Sequence, residues 1–317
     1  MKTIIKIRFG AHRIPGGLDA ILGPAQCGRE VVEVSEYMIG GGVNRMAINV
    51  TMTLDAQDER VAKVLALLAP HGEDDWLHYD DIYTEDELQA APLLEVQPWG
   101  HRMFSAGIRY GTSYDQSTAC LKCGAGVRQT STLIINGEDL RSIDKLRVPG
   151  SRGEDFILHD LDVERLLAAN VTGALFWPVS AKSKSSNLTE LRRQQVFAQH
   201  TMPPMARGST IERNAVCQLC HRGGFTTAPA PTVRLAYRAD DLKDIRDFNL
   251  RWEFFGAVEN FDDDMKKGLW PTQGLLVTPK VMNLLRGKTK KEQKLQGCHF
   301  IPIWIEDDTH DKPYLMT

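Results

Sequence analysis

The sequence predicts an α+β protein in two parts: an N-terminal α/β unit over residues 1–110, followed by an internally duplicated α+β domain over residues 111–317. Three observations lead to this prediction. Short apolar segments with strand or helix periodicity alternate along the first part. Two Cys-x-x-Cys motifs occur in the second part. A similar apolar pattern comes after each motif, which indicates a repeated unit.

Length and composition are typical of a soluble globular protein. The 317 residues are 42% hydrophobic and 25% charged, with a formal net charge of −3. The chain therefore has no general basic surface for nucleic acid or anionic membranes. No apolar run reaches the roughly 20 residues that span a bilayer. Six cysteines, four of them in paired motifs, fit a reducing compartment. We expect the protein to lie in the cytoplasm, with no membrane association.

The N-terminal unit is predicted to contain three strands and two helices. Residues 4–9, 30–39 and 47–54 alternate between apolar and polar or are rich in β-branched residues, as strands are. Residues 55–68 carry valines and leucines at helical spacing and end before a proline. A Thr-x-x-Glu capping pattern opens a second, short helix over residues 84–91.

The most acidic stretch of the chain lies between these two helices. We expect a solvated loop whose aromatic residues pack on their own domain. The alternative is a binding surface for a basic protein partner, because carboxylates attract such a partner over long range and aromatic residues are enriched at interface hot spots. The candidate partner-binding residues are Glu73, Asp74, Asp75, Trp76, Tyr79, Asp80 and Asp81.

Two Cys-x-x-Cys motifs organise the second part of the chain. Cys120 and Cys123 form the first motif; Cys217 and Cys220 form the second, followed by His221. Two such turns can direct four thiolates at one centre, the tetrahedral set that Zn²⁺ prefers. Four sulfurs leave no position for water, so the pattern predicts a structural zinc that staples the domain. Redox-active thiol pairs, unmetallated core cysteines and ligation by His221 in place of a cysteine are the alternatives.

A repeated unit follows the two motifs. Residues 157–167 and 275–285 align without a gap, and each contains an apolar helical stripe. Asp160 and Thr278 fall where the helix N-caps belong. The two copies are predicted to cover about residues 112–180 and 209–305.

Each copy is predicted to end in a strand, and a linker joins the copies. Residues 173–179 and 297–303 both begin with a glycine turn and continue as a strand. In the linker, residues 188–200 are predicted to form a helix. A pseudo-two-fold arrangement of the copies would bring the two Cys-x-x-Cys motifs together, which supports one shared zinc.

The two motifs, with the same helix–strand pattern after each, resemble the double-CXXCG motif family, known mainly from myxobacterial paralogues. The resemblance covers about residues 110–305, and the second motif has His221 where the family motif has glycine. Some members look like immunity proteins, which bind and neutralise a toxin delivered by another cell. The resemblance therefore implies a protein partner, a toxin. The matching positions are Cys120, Cys123, Gly124, Cys217 and Cys220.

No complete catalytic motif is present in the sequence. It contains no nucleophile elbow, phosphate loop, dinucleotide fingerprint or zinc-protease motif. We therefore expect a binding protein rather than an enzyme, with no catalytic residues assigned. The alternative is a nucleic-acid-binding or regulatory zinc protein, suggested by the motifs and by basic residues within 207–222 and 288–294. The negative net charge makes nucleic acid the weaker choice.

Overall fold

The computed structural model describes most of the chain, and its contacts divide it into two compact units. One unit is built on Met1–Thr84 and the other on the described residues from Glu85 onwards. None of the described helices is long and apolar enough to cross a membrane. The described residues are 1–39, 45–73, 76–98, 105–138, 150–152, 155–184, 187–213, 215–227, 234–256, 261–286 and 298–306.

The described residues of the first unit form a four-stranded antiparallel sheet with two α-helices packed against it. Its elements are β1 (Lys2–Gly10), α1 (Asp19–Ala25), β2 (Val32–Ile39), β3 (Arg45–Asp55), α2 (Arg60–Leu68) and β4 (Leu77–Ile82). The strand order is β2–β3–β1–β4. Ile5 and Ile7 of β1 meet Val50 and Met52 of β3 in the core, and Val64 of α2 packs on them. The three predicted strands are confirmed. The predicted first helix starts later, because β3 continues to Asp55.

In the part of the second unit that the structure describes, there are two large sheets, a small hairpin and four α-helices. Its strands are β5 (Leu94–Pro98), β6 (Tyr114–Asp115), β7 (Arg128–Gln129), β8 (Leu133–Asn136), β9 (Gly150–Arg152), β10 (Asp155–His159), β11 (Ala174–Lys182), β12 (Leu188–Ala198), β13 (Ile211–Glu212), β14 (Gly223–Thr227), β15 (Leu235–Arg238), β16 (Phe248–Phe255), β17 (Thr272–Val277) and β18 (Cys298–Glu306). Its helices are α3 (Glu85–Ala90), α4 (Asp160–Ala168), α5 (Phe261–Lys267) and α6 (Pro279–Leu285). Helix α3 confirms the short helix predicted over residues 84–91.

The two sheets share a five-strand arrangement. Their strand orders are β8–β11–β12–β10–β9 and β13–β14–β16–β17–β5–β18–β15. In the first sheet, β10 and β11 are joined by α4 and both run antiparallel to β12, which lies between them. In the second sheet, β17 and β18 are joined by α6 and both run antiparallel to β5, which lies between them. The next strands out also agree, since β8 and β15 are parallel to β11 and β18, whereas β9 and β16 are antiparallel to β10 and β17.

The middle strands of the two five-strand arrangements differ in origin: β12 directly follows its neighbour β11 in sequence, whereas β5 is far in sequence from β17 and β18. Strand β5 precedes the first Cys-x-x-Cys motif but lies in the sheet that follows the second motif. Strand β12 precedes the second motif but lies in the sheet that follows the first. Beyond each strand, the chain pairs with an edge of the opposite sheet: Gly107 N–H donates to Ile134 O on β8 (3.1 Å), and Ala206 N–H donates to Ala236 O on β15 (2.8 Å).

The pairing of β5 also explains where the compact units divide. The division falls after Thr84, earlier than the boundary predicted near residue 110. Strand β5 belongs to the second unit because it forms backbone ladders with β17 and β18.

The predicted helix over residues 188–200 is wrong. Leu188–Ala198 forms β12, which is paired along both edges, with β10 and with β11. Arg193 and Gln195 are buried on this strand. Helix propensity is a weak preference, and pairing with two neighbouring strands overrides it.

One of the two predicted helix N-caps lies one residue earlier in the structure than predicted. His159, not Asp160, is the N-cap of α4, and its Nδ1 accepts a hydrogen bond from the Leu161 N–H (3.2 Å). Thr278 is confirmed as the N-cap of α6. Its hydroxyl donates to the Asp247 carboxylate (2.8 Å) instead of capping its own helix.

Candidate metal centre

Each Cys-x-x-Cys motif forms the loop of a short antiparallel hairpin. The first lies between β6 and β7 and the second between β13 and β14. In the first turn, Gly124 N–H donates to Cys120 O (2.8 Å); in the second, His221 N–H donates to Cys217 O (2.9 Å). Gly124 has a φ of 74° and His221 a φ of 56°. The two turns therefore share a left-handed conformation, which costs a non-glycine residue such as His221 ~1–2 kcal/mol.

The structure brings the four motif cysteines together. Their Sγ atoms all lie within 4.8 Å of one another. The two pairs that join the motifs are Cys120–Cys217 at 3.7 Å and Cys123–Cys220 at 3.4 Å. Tetrahedral zinc with Zn–S bonds of ~2.3 Å would place its sulfurs ~3.8 Å apart, whereas a disulfide would need ~2.05 Å. The four thiols are free, and the group could hold a metal ion.

Burial and hydrogen bonds set the acidity of these thiols. Burial raises the pKa of Cys123 and of Cys220. Burial acts in the same direction on Cys217, but the backbone N–H groups of Cys220 and Leu219 and the neighbouring thiols lower its pKa to about 7. A metal is bound by thiolates, so a cation at this cluster would supply the charge that keeps buried sulfurs ionised.

Close packing holds the two motifs against each other. Gly223 lies so near the first motif that a Cβ at this position would be 2.5 Å from Cys123 Sγ and 3.2 Å from Ala125 Cβ. Phe254 of β16 joins Cys123, Ala125 and Cys217 in one buried cluster. A closed set of four sulfurs without an open position is typical of a structural metal ion.

Arg222 lies directly beside this cluster. Its guanidinium carbon is 5.1 Å from the ring centre of Trp252 and 5.1 Å from that of Phe254. Burial lowers the pKa of Arg222, and the nearby Cys220 and Glu253 oppose that effect. The sequence analysis missed Arg222 and Gly223 as parts of the site, because their surroundings depend on where β16 lies.

Other residues that were considered as metal or nucleic-acid ligands lie elsewhere. The four-sulfur group contains no histidine, and the side chain of His221 is exposed. In the basic segment 207–222, Arg222 stacks on aromatic rings, and Nε and Nη2 of Arg213 are buried. The basic segment 288–294 lies outside the described residues.

The acidic segment of the first unit is tied into its own sheet. Glu73 is buried; its carboxylate accepts hydrogen bonds from Gly10 N–H (2.6 Å) and from Arg13 Nη1 (2.8 Å). Glu73 is therefore a structural carboxylate rather than a surface one. Asp81 accepts from the Thr3 hydroxyl (2.6 Å).

Asp80 is also paired, with Lys6 and with His78 Nε2 (2.9 Å). Burial opposes ionisation of Asp80, but Lys6 and His78 together lower its pKa. Tyr79 packs partly on the core, whereas Trp76 is 57% exposed and has the Arg8 guanidinium 4.6 Å from its ring centre. The remaining candidates, Asp74 and Asp75, lie outside the described residues.

The four-sulfur cluster is thus the clearest chemical feature of the described residues. No protein-family model, curated protein or solved structure matches the chain.

Proposed function

We propose that this chain is a cytoplasmic binding protein with a structural zinc, and that it acts as an immunity protein by neutralising a protein toxin. The observation that carries the zinc is the four-sulfur cluster, whose distances fit a tetrahedral thiolate site. Free cysteines fit the reducing cytoplasm. The toxin partner is suggested by the resemblance of the two motifs to the double-CXXCG family.

In this proposal, zinc acts as a staple between two hairpins. Each hairpin contributes two of the four sulfurs, so the ion links segments of the chain that are far apart in sequence. Linking them in advance reduces the conformational freedom that a partner would have to restrict on binding. The zinc therefore supports recognition by holding the two hairpins in place.

We further propose that the second unit is an internal duplication whose copies have exchanged their first strands. The support is the common order and direction of five strands in the two sheets, together with the matching hairpins before them. In this interpretation β5 opens the first copy and completes the sheet of the second, while β12 opens the second copy and completes the sheet of the first.

Matched valine substitutions test the strand exchange. Val96 of β5 and Val196 of β12 are both buried, and we expect Val96→Ala and Val196→Ala each to cost ~1–3 kcal/mol. Native-state hydrogen exchange should show a crossed pattern: Val96→Ala exposes amides of β17 and β18, whereas Val196→Ala exposes amides of β10 and β11. The opposite pattern would contradict the exchange: Val96→Ala would then expose amides of β10 and β11, and Val196→Ala would expose amides of β17 and β18.

The immunity function is tested with the protein encoded beside this chain. Co-expression should restore growth to cells that produce this neighbouring protein, and the two should elute as one complex. Trp76→Ala is expected to weaken the complex at least about tenfold if the exposed tryptophan is a binding anchor. Trp304→Ala, at another exposed tryptophan, is the control. Failure of rescue and of complex formation would refute the function, whereas a Trp76→Ala complex of unchanged affinity would refute only this surface.

A further inference from the structure

The charge of the metal centre requires compensation. A divalent ion held by four thiolates carries a formal charge of about −2, and a buried charge is costly unless an opposite charge lies near it. In the first motif, the position two residues after the last cysteine is Ala125, which offers no charge. Lys122, within that motif, is exposed and its charge is weakened by solvent. In the second motif, the equivalent position is Arg222.

Several contacts hold Arg222 at the cluster. Its backbone N–H bonds to Cys220, the last ligand of the second motif. Phe254, which belongs to the buried cysteine cluster, also lies under the guanidinium, at 5.1 Å. One guanidinium nitrogen donates to the Trp252 carbonyl (3.5 Å), whereas the buried Nε has no hydrogen-bond partner among the described residues. The guanidinium is therefore held against Phe254 of the cysteine cluster, with its Nε free of hydrogen bonds to the described residues.

We propose that Arg222 is a positioning residue of the metal centre, whose guanidinium offsets the negative charge of a four-thiolate zinc and so sets how tightly the ion is held. This inference rests on the proposed structural zinc. The competing role is pairing with Glu253, a buried carboxylate on β16 that already accepts a hydrogen bond from Met205 N–H (2.8 Å).

Zinc affinity measured by chelator competition tests the proposal on the full chain. Arg222→Met should bind zinc about 10–100-fold more weakly than the wild type, the usual effect of losing an outer partner of a metal ligand. Arg222→Lys keeps the charge and should bind at least about tenfold more tightly than Arg222→Met. Arg234→Met removes an arginine that stacks on Trp304 (5.3 Å), a residue outside the cysteine cluster, and should leave zinc affinity unchanged.

A spectroscopic measurement separates charge from packing. In the cobalt-substituted proteins, loss of the cation should move the thiolate-to-metal charge-transfer band of Arg222→Met to lower energy, with little change in Arg222→Lys. For a variant whose metal-free form is unfolded, the zinc concentration that restores near-ultraviolet circular dichroism gives the affinity, because binding and folding are coupled.

The failure of this inference can be told apart from failure of the zinc proposal. A wild-type protein without stoichiometric zinc refutes the metal centre itself. If the wild type contains stoichiometric zinc and Arg222→Met binds it with the same affinity, the role of Arg222 is to pair with Glu253 instead. If Arg222→Lys and Arg222→Met lose the same amount of zinc affinity, Arg222 acts through packing. The same conclusion follows if the Arg222→Met chain stays unfolded at every zinc concentration. Each of the last three results, which concern the Arg222 variants, overturns the proposed role of Arg222.

Discussion

Replacing Cys217 by serine is expected to unfold the second unit and to abolish stoichiometric zinc binding. The substitution leaves three thiolates for an ion that prefers four ligands, and the free energy of binding structural zinc is also folding free energy, ~10–16 kcal/mol in small peptides. That value is as large as the ~5–15 kcal/mol net stability of many ordinary domains. Cys120→Ser, in the other hairpin, should have the same effect.

Elemental analysis and circular dichroism measure this result. The wild type should contain about one zinc per chain, and the serine variants should contain little and show reduced secondary structure. Cys27→Ser is the matched control, since Cys27 is a buried cysteine of the first unit outside the sulfur cluster. A folded wild type with far less than one zinc per chain would show that the cluster is not a zinc site.

The second large effect is expected for Glu95→Ala, which should reduce the free energy of unfolding by ~3–5 kcal/mol. Glu95 on β5 pairs with Arg251 on β16 at 2.7 Å, and both side chains are buried. The arginine reaches across β17 at Gly274, where a Cβ would lie 2.1 Å from its Nε. It also stacks on Phe255 at 4.0 Å. Removing the carboxylate leaves an uncompensated buried cation.

Urea denaturation of Glu95→Ala and Glu85→Ala compares a buried pair with an exposed one. Glu85 pairs with Arg286 at a similar distance, 2.6 Å, but its side chain is 59% exposed. Loss of this surface pair should cost less than ~1 kcal/mol. If both variants lose the same small amount of stability, the Glu95–Arg251 pair does not stabilise the sheet.

The cluster of four cysteines could be predicted because its chemistry is local. A Cys-x-x-Cys turn directs two sulfurs to one side whatever the surrounding fold, and two turns provide a complete ligand set. The strands of the first unit were predictable for a similar reason: their alternating side chains carry the period of a half-buried strand. The helices α4 and α6 followed from their apolar stripes.

The features that escaped prediction depend on strand partners. Residues 188–198 form a strand because β10 and β11 lie on both sides of them, and the segment alone does not encode those neighbours. Glu73 has the same acidic character as Asp80 and Asp81, yet only the structure shows that it is enclosed beside Gly10 and Arg13. Charge alone does not distinguish a surface carboxylate from a buried structural one.

The position of β5 between strands made much later also constrains biosynthesis. During synthesis, β5 leaves the ribosome long before β17 and β18, the strands that will flank it. Until those strands exist, its backbone donors and acceptors remain an open edge of the kind that promotes aggregation. Pairings between such distant segments also slow folding, because a long loop must close before the contacts form. Strand β18 therefore completes a sheet that contains a strand made much earlier, so the second unit cannot finish folding until β18 has left the ribosome.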